Sequence, residues 1–167
     1  MFLKFSPDHF PKVPKNTCSY SWISPRKNHR FGFKNKIKDS SIYEDFIFYG
    51  HKNNALDYLN AADLIIHPSR GEALPRVILE AMALGGTIIA SDIDGHKELI
   101  RHEKTGLLFD LKNPGQLCHL VKNLFNDRKM AQRLGVSAKN YCYENYGEAN
   151  MEKSIRKLFD NILLSWW

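Results

Sequence analysis

From residue 41 onward, short apolar runs that end at a turn residue alternate with stretches of helical spacing. Phe46-Ile47-Phe48-Tyr49 stops at Gly50, and Leu64-Ile65-Ile66-His67 stops at Pro68. Thr87-Ile88-Ile89-Ala90 and Leu107-Leu108-Phe109 each start just after a glycine. A run that is apolar at successive positions, rather than at every second one, predicts a strand covered on both faces. Residues 55–63 and 75–84 read as helices, the second with Pro75 in its first turn and Gly85-Gly86 at its end. Asn113 precedes Pro114 as a cap, and Leu117, Val121, Leu124 and Phe125 then share one helical face. A further helix begins near Asp127, and a last one from about Glu148 aligns Met151, Ile155, Leu158, Phe159 and Ile162. Strands and helices in alternation predict an α/β fold with a parallel sheet between two helical layers.

Composition narrows the class. The chain has 167 residues, 43% hydrophobic and 25% charged, which suits one soluble globular domain. No run approaches the 18 or so apolar residues of a spanning helix, and Met-Phe-Leu-Lys-Phe at the start lacks the apolar region of a secretory signal. Cys18, Cys118 and Cys142 are odd in number and far apart, so free thiols in a reducing cytoplasm are expected. The net charge of +6 is concentrated at one end: positions 1–40 hold nine Lys/Arg, two acids and four of the seven prolines. Residues 1–40 are therefore taken as a basic, Pro-rich leader and residues 41–167 as the domain proper. The leader has no interleaved aromatic pattern, so a nucleic-acid partner is not expected.

In a parallel sheet, ligands bind beyond the carboxyl ends of the strands. The richest segment there is Ser69-Arg70-Gly71-Glu72-Ala73-Leu74-Pro75-Arg76-Val77-Ile78-Leu79-Glu80-Ala81-Met82-Ala83-Leu84-Gly85. The helix from Pro75 is apolar on nearly every side, the pattern of a buried helix, and Glu80 sits inside it. A carboxylate in such a place needs donors, and a pair of ligand hydroxyls would supply them. Glu72 lies just before the helix, beside free N–H groups and the positive end of the helix dipole, a natural phosphate cradle. In the competing reading, Glu72 caps the helix and Glu80 pairs with a structural cation.

Glu72 and Glu80, separated by seven residues and followed by Ala-Met-Ala-x-Gly, resemble the E-x7-E signature of retaining glycosyltransferases of the GT-B fold, family 4 in particular. The neighbouring blocks agree in order and spacing: residues 62–69, 87–92, 98–100 and 105–109. The resemblance implies a Rossmann-like, C-terminal donor-binding half. It implies that Glu80 binds the ribose of a nucleotide-sugar and that Glu72 contacts the transferred sugar and stabilises positive charge there. The N–H groups of Ala73, Leu74 and Arg76 would face the sugar and the diphosphate, with no metal required. Ser21 to Asn28 resembles the strand end whose Arg and Lys clamp the diphosphate. Lys27 falls on the Lys; Trp22 falls where the Arg belongs, leaving Arg26 as its substitute.

Only 22 residues separate Lys27 from Gly50, too few for the helix, strand and helix found there in the family. One strand–helix unit is thus expected to be missing, along with the acceptor-binding N-terminal domain, which a separate partner would have to supply. The implied function is donor binding for transfer of a sugar to a cell-surface glycan or lipid-linked acceptor, in polysaccharide or lipopolysaccharide assembly. A non-catalytic remnant or partner subunit, and a sugar-nucleotide epimerase of the same architecture, are the alternatives. The terminal Leu163-Leu164-Ser165-Trp166-Trp167 suits either peripheral contact with the inner face of the plasma membrane or packing against a further domain. Asp92-Ile93-Asp94 imitates a metal-binding D-x-D and is read as a turn, and His67 as a strand-end residue.

Overall fold

The computed structural model describes residues 51–150 and Glu152, together with the backbone of three strands that precede them. Those strands are β1 (Phe2–Lys4), β2 (Ser19–Trp22) and β3 (Phe46–Phe48). They are followed by β4 (Leu64–His67), β5 (Ile88–Ser91) and β6 (Leu107–Phe109). All six form one sheet in the order β3-β2-β1-β4-β5-β6, the strand order of a doubly wound α/β fold. β4, β5 and β6 are parallel, with Ile66 opposite Ile89 and Ile89 opposite Leu107, and β2 and β3 are parallel as well.

One strand departs from the all-parallel expectation. β1 pairs antiparallel with both β2 and β4, so the sheet is parallel on either side of a single reversed strand. Three residues carry too little periodicity to announce themselves in the sequence. The order reverses between β1 and β4, and the crevice of such a fold lies there, at the carboxyl end of β4.

The helices are α1 (Ala55–Ala61), α2 (Arg76–Leu84), α3 (Asp94–Lys97), α4 (Pro114–Asn126) and α5 (Arg128–Tyr146). Both faces of β4, β5 and β6 are covered, as their unbroken apolar runs require. Ile65, Ile88, Ala90 and Leu108 pack with Leu59, Ile78, Ala81, Met82, Ala138 and Cys142 on one face. Leu64, Ile66, Ile89, Leu107 and Phe109 pack with Leu124 and Leu134 on the other. Each fully buried aliphatic side chain of this kind contributes about 2 kcal/mol from removal of apolar surface from water. α5 supplies residues to both clusters and so wraps the sheet's end.

Local chemistry sets the helix ends. The Asn113 side chain accepts from the Gln116 N–H at 3.2 Å, and Asp127 accepts from the Met130 N–H at 2.9 Å. Gly85 ends α2 in the left-handed region at φ 78°, where a side chain is strained. Gly135 of α5 lies directly against the Gly85 carbonyl, so the two helices meet with no room for a Cβ. Phe125 departs from its expected place on the buried stripe of α4. It is half exposed, and the Arg128 guanidinium lies 5.3 Å from its ring centre. The short α3, which contains Gly95, was not foreseen. The helix expected from Glu148 lies outside the described residues apart from its first part. Among the described residues no helix is long and apolar enough to cross a membrane.

Candidate functional site

The segment from Pro68 to Pro75 leaves the carboxyl end of β4 and delivers the chain into α2. Pro75 occupies the N-cap position, and no side chain caps the helix. Glu72 therefore does not act as the cap that the competing reading required. Its carboxylate instead accepts from the Ser69 hydroxyl at 2.9 Å, and Glu72 itself is exposed. The N–H groups of Ala73, Leu74 and Arg76 make no backbone hydrogen bond among the described residues. Pro75 has no N–H to give. The result is an open cluster of donors at the positive end of a nine-residue helix, with one carboxylate beside it.

Glu80 corrects the sequence reading. α2 is not buried all round: it buries Ile78, Ala81 and Met82, while Leu84 is exposed and Val77, Leu79 and Ala83 are half-buried. The Glu80 side chain keeps 35% of its surface and lies 3.6 Å from the Arg76 guanidinium one turn earlier, which is 88% exposed. An apolar helical wheel shows what a helix could bury, and among the described residues nothing covers the outer side of α2. No buried carboxylate is in need of a partner, and an exposed i,i+4 pair of this kind is worth only a few tenths of a kcal/mol. Glu80 is accessible and weakly held.

Between β4, β5 and α3 lies a polar cluster that sequence reasoning missed. His67 Nδ1 is 2.9 Å from His96 Nε2, with the rings edge to face at 76°. His96 is fully buried, and its Nδ1 is 2.7 Å from the Ser91 carbonyl. The Ser91 hydroxyl donates to the Ser69 carbonyl at 2.5 Å. Burial pushes the His67 imidazole down to about 4, the neighbouring His96 adds to this, and the Glu72 carboxylate opposes it. Nothing in the residue spacing pairs two histidines 29 positions apart; only the adjacency of β4 and β5 does. Gly95 closes the arrangement: the Glu72 carbonyl rests against its Cα, where a Cβ would collide.

Lys27 and Arg26, expected on the diphosphate, lie outside the described residues, as does Trp22 beyond its backbone. Asp92 forms an ion pair with Lys97 at 2.9 Å, and Asp94 sits in the first turn of α3. A cavity of about 250 Å³ opens at the opposite edge of the sheet. It lies between Asp63, Thr87 and Arg128, at the amino ends of β4 and β5. That edge carries none of the expected site residues.

Residues 26–141 match the family model described as glycosyl transferases group 1, which covers more than half of the chain. The chain is 25% identical over 127 residues to N-acetyl-alpha-D-glucosaminyl L-malate synthase of Bacillus anthracis, covering 76% of this chain and 33% of that protein. It is 35% identical over 82 residues to glycosyltransferase 1 domain-containing protein 1 of Xenopus tropicalis, covering 49% of this chain and 23% of that one. The chain thus spans a third or less of these curated relatives. Among solved structures, Anabaena Alr3699/HepE in complex with UDP superposes with a TM-score of 0.75 at 20% identity, over 81% of this chain and 37% of that one. The C-terminal domain of a Francisella tularensis glycosyl transferase group 1 family protein, LpcC, gives 0.65 at 22% identity, over 75% and 66%. These likenesses establish a GT-B-type Rossmann-like fold. Sequence blocks, strand order and family match agree, and the chain belongs to the glycosyl transferases group 1 family.

Proposed function

We propose that this chain is the donor-binding half of a retaining glycosyltransferase, holding a nucleotide-diphosphate sugar at the carboxyl end of β4. The observation that carries this reading is the uncapped start of α2, where unpaired N–H groups of Ala73, Leu74 and Arg76 stand beside Glu72. A diphosphate suits those donors and the helix dipole. The transferred sugar then lies against Glu72, whose negative charge stabilises the positive charge that develops at the anomeric carbon. Glu80, one turn further on and accessible, takes the ribose hydroxyls by exchanging its weak contact with Arg76 for two hydrogen bonds. Lys27 and Arg26 complete the diphosphate clamp, so that no metal ion is needed.

The acceptor side belongs to a separate GT-B N-terminal domain, and the acceptor is a cell-surface glycan or a lipid-linked one met at the inner face of the plasma membrane. The names of several relatives support this choice. One is UDP-Gal:alpha-D-GlcNAc-diphosphoundecaprenol alpha-1,3-galactosyltransferase of Escherichia coli, 26% identical over 122 residues. The reading is tested by calorimetric titration of UDP into the chain and its Glu80→Ala variant. Loss of a charge-assisted pair should weaken binding about tenfold or more. Equal affinities would remove the ribose role.

A further inference from the structure

The hydrogen bonds around His67 can be assigned a direction, because carbonyl and carboxylate oxygens only accept. The Ser91 carbonyl accepts from His96 Nδ1, so that nitrogen carries the proton and His96 Nε2 is the free lone pair. His67 Nδ1 must then be the donor across the 2.9 Å contact. The Ser91 hydroxyl donates to the Ser69 carbonyl, and the Ser69 hydroxyl donates to Glu72 Oε1. A set of contacts thus links a fully buried imidazole, through two serines, to the exposed carboxylate, with the Gly71 carbonyl at 3.2 Å a second and longer acceptor for the Ser69 hydroxyl.

We propose that Ser69, Ser91 and the neutral His67–His96 pair are positioning residues that set the Glu72 carboxylate for the sugar, the pair holding β4 to the α3 turn while the serines fix the loop. This deepens the proposed function and rests on its assignment of Glu72. The pair works only when uncharged. A proton on His96 Nε2 would set two N–H groups against each other in a buried site, so an added proton must go to His67 Nε2. Glu72 on the loop and His96 on α3 are the neighbours whose charge bears on His67, and a new cation on its ring would draw the carboxylate off the Ser69 hydroxyl. The low affinity of His67 for protons, set by its burial, keeps that ring neutral under ordinary conditions. No step of this set of contacts transfers a group or an electron; its members hold positions.

Two measurements on the full chain test it. In long-range nitrogen NMR of the histidine rings, His96 should carry hydrogen on Nδ1 with a bare Nε2 at pH 7, and His67 should carry hydrogen on Nδ1 and not titrate above about pH 5. The His67 ring titrating near 6.5 in the folded chain, or His96 carrying its hydrogen on Nε2, would overturn the proposal. The second measurement is a double-mutant cycle in calorimetry, with UDP-glucose and UDP as probes. Ser69→Ala and Glu72→Gln should each weaken UDP-glucose by about five- to tenfold while changing UDP less than twofold. Their combination should cost no more than Glu72→Gln alone, and Ser69→Thr, which keeps the hydroxyl, should behave as the parent chain. Additive losses, or a Ser69→Ala without effect beside a damaging Glu72→Gln, sink the positioning role. A parent chain that binds UDP-glucose no better than UDP sinks the assignment of Glu72 itself, and the ring spectra then still decide whether the neutral pair exists.

Discussion

Glu80 and Arg76 show how residue-level expectations fare. Spacing placed both on α2 and singled out Glu80, yet the reason given for Glu80, burial within an oily helix, is contradicted by its exposure. Apolar residues around a helix reveal capacity for burial, and which side is covered depends on neighbours that a single segment cannot name. The role of Arg76 is separable by mutation, because the proposed contact is made by its backbone. Arg76→Ala should therefore change stability by less than about 0.5 kcal/mol. It should also leave UDP affinity within about threefold by calorimetry. A larger loss would assign the contact to the guanidinium. The histidine pair was illegible for a different reason: His67 and His96 meet only because parallel neighbours end on the same side of the sheet.

At the scale of elements, punctuation was the best guide. Pro75 and Gly85 bracket α2 as expected, Asn113 and Asp127 cap α4 and α5, and four apolar runs became β3 to β6. β1 and α3 escaped for want of a pattern: β1 is three residues ending in Lys4, and α3 is a single turn, Asp94-Gly95-His96-Lys97, with no apolar face to read. Two glycines separate packing from function. In Gly135→Ala a Cβ meets the Gly85 carbonyl at the α2–α5 contact, so stability should fall by about 2–4 kcal/mol in urea unfolding. In Gly95→Ala the Cβ meets the backbone carbonyls of Glu72 and Ala73 instead, so the displaced backbone is that of the site loop. That variant should lose stability as well and also weaken UDP-glucose more than UDP. If Gly95→Ala bound both ligands like the parent chain, the loop's seat on α3 would be irrelevant to the site.

For the whole molecule, His67 sets a pH dependence whose sign is fixed. Its folded-state value of about 4 lies below the ordinary 6.5, so between these limits the unfolded chain binds more protons. The contribution of His67 is present in full above pH 6.5 and is lost as the pH falls toward 4. It amounts to at most about 3 kcal/mol. Chemical denaturation at pH 7 and pH 5 should show the fall, and His67→Gln should flatten it. A slope unchanged in that variant would assign the effect elsewhere.

The proposed function turns on which edge of the sheet receives the nucleotide. Backbone amide NMR during titration with UDP reads this directly. Shifts are expected at Ala73, Leu74, Arg76 and Glu80 and along the turn from Ser91 to His96, with the amides of Asp63, Thr87 and Arg128 unmoved. Shifts confined to that second group, or none at millimolar UDP, would contradict the assignment of the donor site.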